Sequence, residues 1–159
     1  MKDLKIEIHI QCCQMEELMD EERELVDAAI AATHNSYAPY SRFCVGAAVR
    51  LRDGGIIIGA NQENAAFPSG LCAERTAIFA AQAQHPEQPI MALAIAARNE
   101  NGLTKKPVTP CGSCRQVILE IEDRYQRPVC ILLYGTEGVY RIQSVHDLMP
   151  LSFVSDNMK

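Results

Sequence analysis

The sequence predicts an α/β protein, a three-layer α/β/α sandwich around a mixed sheet of roughly five strands. Segments with helical periodicity alternate along the chain with strongly apolar, strand-like runs. Two of these runs, 90-IMALAIAA-97 and 129-VCILLY-134, are apolar without interruption, which is typical of strands covered on both faces. A hairpin signal at residues 53–55 adds antiparallel pairing, so mixed strand directions are expected.

The N-terminal part of the chain is predicted to form a strand, a helix and a hairpin. Residues 4–10 alternate apolar and polar side chains, the pattern of a half-buried strand. From about residue 15 to residue 33, apolar residues recur every three or four positions, which indicates an amphipathic helix with an acidic first half. Pro39 favours a loop after it. Strand-forming runs on both sides of Asp53-Gly54-Gly55 indicate a hairpin over 43–61, because these residues tolerate positive φ.

The remainder is predicted to alternate helices with buried strands. The expected elements are a helix from Cys72 to about Gln84, a strand over 90–97, a helix over 111–124, strands over 129–134 and 138–143, and a short helix over 144–149. No repeat or linker divides the chain. We therefore expect one domain over residues 1–159, with residues 1–14 as an N-terminal extension.

Composition and charge favour a cytoplasmic protein that acts on a small molecule. Hydrophobic residues make up 48% of the 159 residues and charged residues 22%, which is ordinary for a globular chain. The net charge of −5 and the scattered basic residues disfavour nucleic acid as a partner. No apolar run approaches the roughly 20 residues that span a bilayer, and 1-MKDLKIEIHI-10 lacks the apolar core of a secretory signal. We expect no membrane partner.

The seven cysteines suggest metal binding or burial rather than a disulfide framework. Their number is odd and their spacing uneven, and the cytosol keeps thiols reduced. Pro110-Cys111-x-x-Cys114 begins a predicted helix, where cysteines three residues apart share a face and the helix N-terminus favours thiolate. A lone C-x-x-C is equally consistent with a redox pair or with coincidence.

Cys72 is the natural third ligand, because it also opens a predicted helix. Three protein ligands leave the fourth tetrahedral position of a zinc site for water, which is the catalytic arrangement. Glu74, two residues later, could exchange protons with such a water. Residues two apart point to opposite sides of a regular helix, so Cys72 and Glu74 can converge only if Cys72 lies at the helix entrance.

The combination of Cys72-Ala73-Glu74 with Pro110-Cys111-Gly112-Ser113-Cys114 resembles the zinc deaminase signature in its all-cysteine form. The chain closely resembles the short, homotetrameric cytidine deaminases. The likeness extends over roughly residues 15–153 and includes 36-SYAPYSRFCVGAAV-49, N-x-E-N at 61–64, 72-CAERTA-77, 110-PCGSCRQ-116 and 148-LMPLSF-153.

The resemblance implies a zinc enzyme of pyrimidine salvage that hydrolyses cytidine and 2′-deoxycytidine to uridine and 2′-deoxyuridine plus ammonia. One Zn²⁺ per subunit would be held by Cys72, Cys111 and Cys114, and Glu74 would move the protons. Arg75 resembles the arginine that donates hydrogen bonds to the ligand thiolates and withdraws charge from them. Without the surrounding motif, Arg75 reads equally as a surface salt-bridge residue.

The resemblance also implies the substrate contacts. Asn61 and Glu63 correspond to the pair that binds the ribose 3′-hydroxyl, although alone they could simply end the hairpin. Phe43 corresponds to the aromatic that packs on the pyrimidine, although an aromatic there is more often core. The backbone of Ala73 is expected to recognise the base edge.

Two further aromatics correspond to contacts made between subunits. Phe153 resembles the residue that reaches a neighbouring subunit's site, and Phe67 stands where relatives often carry tyrosine in a shared loop. Both imply a homotetramer with sites completed at its interfaces. Two features depart from the family: the segment 3–10 precedes its usual start, and four cysteines match no ligand position and read as buried or incidental thiols (Cys12, Cys13, Cys44 and Cys130).

Three alternatives stay open at this point. A nucleotide, free-base or polynucleotide deaminase more often carries histidine at position 72, and a polynucleotide editor should carry a basic groove. A blasticidin-type deaminase shares the three-cysteine arrangement. A non-catalytic zinc protein would use the cysteines for structure and would not need Glu74. The sequence leaves undecided the preference for ribose or deoxyribose and any allosteric control.

Overall fold

The computed structural model describes residues 1–159 and has a mixed sheet between two helical layers. The helices are α1 (Asp20–Ala32), α2 (Ala73–Gln84) and α3 (Gly112–Tyr125). The strands are β1 (Gln11–Cys13), β2 (Cys44–Leu51), β3 (Ile56–Ala60), β4 (Ile90–Asn99), β5 (Gly102–Leu103), β6 (Cys130–Gly135) and β7 (Gly138–Ile142). Short 3₁₀ helices lie at Met15–Glu17, Thr33–Asn35, Phe67–Ser69, Val145–Leu148 and Ser155–Met158.

The sheet confirms the predicted mixture of strand directions. Its strand order is β1-β7-β6-β4-β2-β3, with β5 paired to β4. The pair β4–β6 is parallel, and all the other strand pairs are antiparallel. The parallel pair encloses α3, as expected for two strands joined by a helical crossover. Five strands have five residues or more, and the sequence had not indicated the two-residue β5.

The two sheet faces carry separate cores, which confirms the three layers. Alternate residues of the central strands point to opposite faces. On one face, Leu93, Ile95 and their neighbours pack against α2 and α3. On the other, Ala94 and Ala96 pack against α1 through Leu25, Val26 and Ala29. Burial of apolar area on both faces stabilises the central strands by about 25 cal/mol per Å².

The strand predicted over residues 4–10 is wrong for this structure. Residues 1–10 form no helix or strand, and pairing begins only at Gln11, opposite Arg141 of β7. The alternating pattern describes the faces of a strand, but a strand also needs a neighbouring backbone. Because β7 ends at Ile142, the register leaves residues 9 and below without a neighbour.

The helix predicted from residue 15 divides at Leu18. Residues 15–17 form a 3₁₀ turn, Leu18 is extended (ψ 150°) and buried, and α1 begins at Asp20. Its first turn contains Asp20, Glu21 and Glu22, whose charges favour a helix N-terminus. None of the three α-helices is long and apolar enough to cross a membrane.

A close approach between β3 and α2 positions the start of that helix. A Cβ atom added at Gly59 would lie 2.4 Å from the backbone N of Ala77 and 2.5 Å from the carbonyl O of Ala73. Only glycine allows the helix backbone to lie this close to the strand. Gly46 of β2 performs the same role toward α1, where the added atom would lie 2.1 Å from the carbonyl O of Ala29.

Candidate metal centre and active site

The three predicted cysteine ligands converge at the N-termini of two helices. Cys72 is the N-cap of α2 (φ −71°, ψ 154°) and Cys111 is the N-cap of α3 (φ −66°, ψ 168°). Cys114 is buried in the first turn of α3. Cys72 therefore occupies the helix entrance, as the convergence with Glu74 requires.

The sulfur positions fit one tetrahedral metal ion. The Sγ atoms of Cys72 and Cys111 lie 3.9 Å apart, those of Cys111 and Cys114 lie 3.5 Å apart, and all three lie within 4.8 Å of one another. Zn–S bonds of 2.3 Å at tetrahedral angles place sulfurs about 3.8 Å apart. The thiol set therefore matches the distances and the ligand type that zinc prefers.

The surroundings of the cluster favour thiolate. The Nη2 atom of Arg75 donates a hydrogen bond to Sγ of Cys72 over 3.4 Å. The hydrogen bond from the Cys114 thiol, together with that from Arg75, lowers the pKa of Cys72 to about 5. The pKa of Cys114 is raised because its thiol donates to Cys72 and is partly removed from water. The Cys72 thiol is thus ionised near neutral pH, the form in which cysteine binds a metal.

Glu74 differs from the other two buried glutamates of the protein. The Glu22 carboxylate accepts from Nε of Arg141 at 2.7 Å, and the Glu122 carboxylate accepts from two backbone amides and a hydroxyl. Glu74, at 5% exposure, has no arginine and no amide of another element as a partner; its partners are its own backbone amide and the Cys114 thiol of the cluster. Burial raises its pKa, the charge of Cys72 adds to this, and its own backbone amide opposes it. A buried carboxyl group with a raised pKa, which no ion pair ties to another part of the fold, is available for proton transfer.

An open cavity of about 500 Å³ leads to Cys72. Its walls come from the loop before β2, the segment after β3 and the loop before α2, and the lining residues are Tyr40, Ser41, Asn61, Gln62, Glu63, Asn64, Phe67, Gly70, Leu71 and Cys72. No lysine, arginine or histidine is among them. A cavity of this size accommodates a small molecule.

Asn61 and Glu63 both line this cavity, but they are held differently. Asn61 Oδ1 accepts from the Ser36 hydroxyl at 2.5 Å and the Val45 amide at 2.7 Å, while Nδ2 donates to the carbonyl of Phe43 at 2.9 Å. Asn61 therefore fixes the loop before β2 and keeps one N–H for a ligand.

Glu63 is held as an ionised acceptor at the cavity wall. Its carboxylate accepts from the backbone amides of Tyr40 at 2.8 Å and Ser41 at 3.2 Å. Hydrogen bonding, first from Ser41 and then from the Tyr40 amide, lowers the pKa of Glu63. These two amides could not be predicted from the sequence, since a loop residue acting through its backbone leaves no signal in residue type.

Of the other predicted substrate contacts, only Phe67 lines the cavity. Phe67 lies at the cavity mouth, 75% exposed, with its ring edge-to-face to Tyr40 at 5.7 Å between centroids. Ala73 is buried at the first position of α2. Phe43 is half-buried and Phe153 is 56% exposed, and neither lines the cavity of the single chain.

Two side chains of α3 hold the C-terminal tail near the cysteine cluster. Neither was predicted from the sequence. Arg115 donates from Nη1 to the carbonyl of Leu148 at 2.6 Å and from Nε to the carbonyl of Pro110 at 2.9 Å. Gln116 Nε2 donates to the carbonyl of Phe153 at 3.0 Å. Both follow Cys114 directly in 110-PCGSCRQ-116, so the same turn carries two cysteines of the cluster and tethers the tail. The four other cysteines stay apart from the cluster; Cys12 is exposed, and the rest are only half-buried.

Fold and site together define an α/β/α protein with a three-cysteine cluster suited to a metal ion and a buried carboxyl group beside it. Comparison with known proteins assigns this class more narrowly. Residues 19–130, which include all three cysteines of the cluster, match the cytidine and deoxycytidylate deaminase zinc-binding region. The chain belongs to this family, and zinc is its metal.

Individual relatives agree with that assignment. The chain is 40% identical over 134 residues to a cytidine deaminase of Halalkalibacterium halodurans, covering 84% of this chain and 95% of that one. It is 37% identical over 140 residues to a cytidine deaminase of Sporosarcina psychrophila, covering 88% and 96%. The crystal structure of cytidine deaminase from Burkholderia pseudomallei superposes with a TM-score of 0.70 at 39% identity, covering 82% of this chain and 97% of that one.

Proposed function

We propose that this protein is a zinc-dependent hydrolase that converts cytidine and 2′-deoxycytidine to uridine and 2′-deoxyuridine with release of ammonia. The observation that carries the proposal is the position of Glu74. It is a buried carboxyl group whose one side-chain partner is a thiol of the cysteine cluster, and it lies in the first turn of the helix whose N-cap is Cys72. A structural zinc site, which is closed by four protein ligands, has no use for such a group.

Each residue of the site contributes a defined step. Cys72, Cys111 and Cys114 hold the zinc ion, which when bound lowers the pKa of water toward neutrality and so supplies a nucleophile. Glu74 would take a proton from a water that adds to the amino-bearing carbon of the base. Glu74 would pass that proton to the ring nitrogen, then take the second proton from the added hydroxyl group and pass it to the departing amino group, so one water is consumed and one ammonia is released. Arg75 offsets the negative charge of the thiolates.

The cavity favours a neutral nucleoside over a phosphorylated one. Glu63 is kept ionised and lines the wall, where it can accept from a ribose hydroxyl, and Asn61 retains one N–H for the same ligand. A phosphate would meet this carboxylate and no cationic side chain. We propose Phe43 and the Ala73 backbone as base contacts.

We further propose a cytoplasmic homotetramer in which neighbouring subunits complete each site. Phe67 and Phe153 are large aromatics that remain more than half exposed in the single chain, as expected of residues that pack on a neighbour. All seven cysteines are free, which suits a reducing compartment. Mass measurement in solution and a Phe153→Ala variant with raised KM would support the shared site. A fully active monomer would refute it.

Ultraviolet monitoring of cytidine conversion tests the activity and the metal together. We expect turnover of the purified protein, its loss after zinc is removed with a strong chelator, and its return on adding zinc. Parallel assays with cytidine monophosphate, cytosine and blasticidin separate the other deaminase classes. Faster turnover of any of these than of cytidine would overturn the substrate assignment.

A Glu74→Gln variant separates an enzyme from a non-catalytic zinc protein. The amide keeps the shape of the side chain but cannot accept and return protons, so turnover should fall by about 10²–10⁴-fold while zinc content stays at one per chain. Wild-type turnover in the zinc-loaded variant would remove Glu74 from the mechanism.

A further inference from the structure

The N-terminal segment, residues 3–9, carries backbone groups that the single chain does not use. Within residues 1–10, the one hydrogen bond to another part of the protein runs from the His9 amide to Asp147 Oδ1 at 3.2 Å. The segment leads directly into β1, the edge strand of the sheet. An edge strand with free amides and carbonyls is a template for another strand.

The side chains of the segment are sorted as in a strand. Leu4, Ile6, Ile8 and Ile10 alternate with polar residues, and their exposed fractions are 75%, 49%, 50% and 44%. At the positions in between, the acidic residues Asp3 and Glu7 alternate with the basic residues Lys5 and His9. Apolar residues exposed in this number on one short segment indicate a surface that is covered in the assembled protein.

The polar residues show what covers it, because they are complementary to themselves in one antiparallel register. When Ile6 lies opposite Ile6 of a second copy, Lys5 faces the partner's Glu7 and Asp3 faces the partner's His9. The two-fold axis repeats both pairs, so four opposite-type pairs form on one face. Leu4 and Ile8 meet on the other face.

Neighbouring registers lack this complementarity. A shift of the centre by one residue places Glu7 opposite Glu7, or Lys5 opposite Lys5, and like charges directly opposite are destabilising. A centre at Ile8 keeps only the pairing of Glu7 with His9, and a centre at Leu4 keeps only that of Asp3 with Lys5, so each forms two opposite-type pairs instead of four. The sequence of charges therefore selects the register centred on Ile6.

We propose that residues 3–9 form an antiparallel strand pair with the same segment of a second copy of this chain. The pair extends the β1 edge of each sheet into an intersubunit ribbon centred on Ile6. Pairing supplies the neighbouring backbone that β7 does not reach, and it explains a strand-like pattern in a segment that forms no strand alone. A two-stranded ribbon is marginal in isolation, but this one is anchored at both ends to a sheet.

Disulfide cross-linking of the full-length chain tests the register. Ile6→Cys and Ile8→Cys are compared in a background where Cys12 and Cys13 are serine, so that tryptic peptides report the introduced thiol alone. Directly opposed residues have Cα atoms about 5 Å apart, within disulfide reach, whereas residue 8 lies about 13 Å along the ribbon from its own copy. We expect rapid 6–6 cross-linking between chains and at least about tenfold slower 8–8 cross-linking.

Charge reversal tests why the chains pair. In the Ile6→Cys background, Lys5→Glu places like charges opposite each other twice and should slow cross-linking about threefold or more. Adding Glu7→Lys should restore the original rate. Equal rates at positions 6 and 8, linkage of residue 6 to any other part of a second chain, or no response to Lys5→Glu would each overturn the proposal.

Discussion

The close approach of α2 to β3 at Gly59 makes a sharp prediction about the site. In a Gly59→Ala variant, the new methyl group would lie 2.4 Å from the Ala77 amide nitrogen, and ordinary contact begins at 3.4 Å. The nearest atoms, the Ala77 nitrogen and the Ala73 carbonyl oxygen, both belong to the helix backbone and cannot rotate away. Helix α2 must therefore move away from the strand by about 1 Å. Overpacking of this kind costs about 1–3 kcal/mol of unfolding free energy. The same movement displaces Cys72 and Glu74, and a 1 Å misplacement of reacting groups costs about 10²-fold in kcat/KM.

Denaturant unfolding, zinc content and nucleoside turnover measure the three effects separately. Gly46→Ala is the matched control, since its methyl would press on α1, on the other face of the sheet, and not on α2. We expect the control to lose stability but to keep the kcat/KM of its folded fraction. Equal loss of activity in both variants would mean that turnover follows stability rather than the position of α2. Wild-type stability and turnover in Gly59→Ala would refute the reasoning.

Three further predictions concern single side chains. Arg75→Gln removes the hydrogen bond to the Cys72 sulfur, so turnover should fall by about 10–100-fold while zinc stays bound; unchanged turnover at full zinc content would remove this role. Glu122→Ala leaves two buried backbone amides without an acceptor and should cost about 2–6 kcal/mol in urea unfolding; an unchanged midpoint would contradict it. Burial raises the pKa of Cys130 to about 11, so only about one thousandth of this thiol is ionised at pH 8. Its alkylation rate, followed by peptide mass spectrometry, should rise about tenfold per pH unit up to that pKa, whereas modification of Cys130 as fast at pH 7 as at pH 9 would contradict the shift.

The elements that sequence reasoning located correctly are those determined locally. The hairpin around Asp53-Gly54-Gly55 is confirmed, because its turn chemistry lies in adjacent residues. The start of α3 at Cys111 is confirmed for the same reason, since Pro110 precedes it directly. The strand over residues 4–10 is wrong because its partner had to come from elsewhere in the fold.

The sequence by itself determined the chemistry of this protein: which residues can ligate zinc, which carboxyl group stands beside them, and which family the motifs resemble. These depend on residue type and short spacing, which are local. Only the tertiary structure decided that Cys72 meets Cys111, 39 residues away, at 3.9 Å, that Glu74 is buried beside the Cys114 thiol, and that the Tyr40 and Ser41 amides hold Glu63. The physical reason is that these relations depend on how the sheet brings helix N-termini and loops together, and non-local packing is not written in any short stretch of the chain.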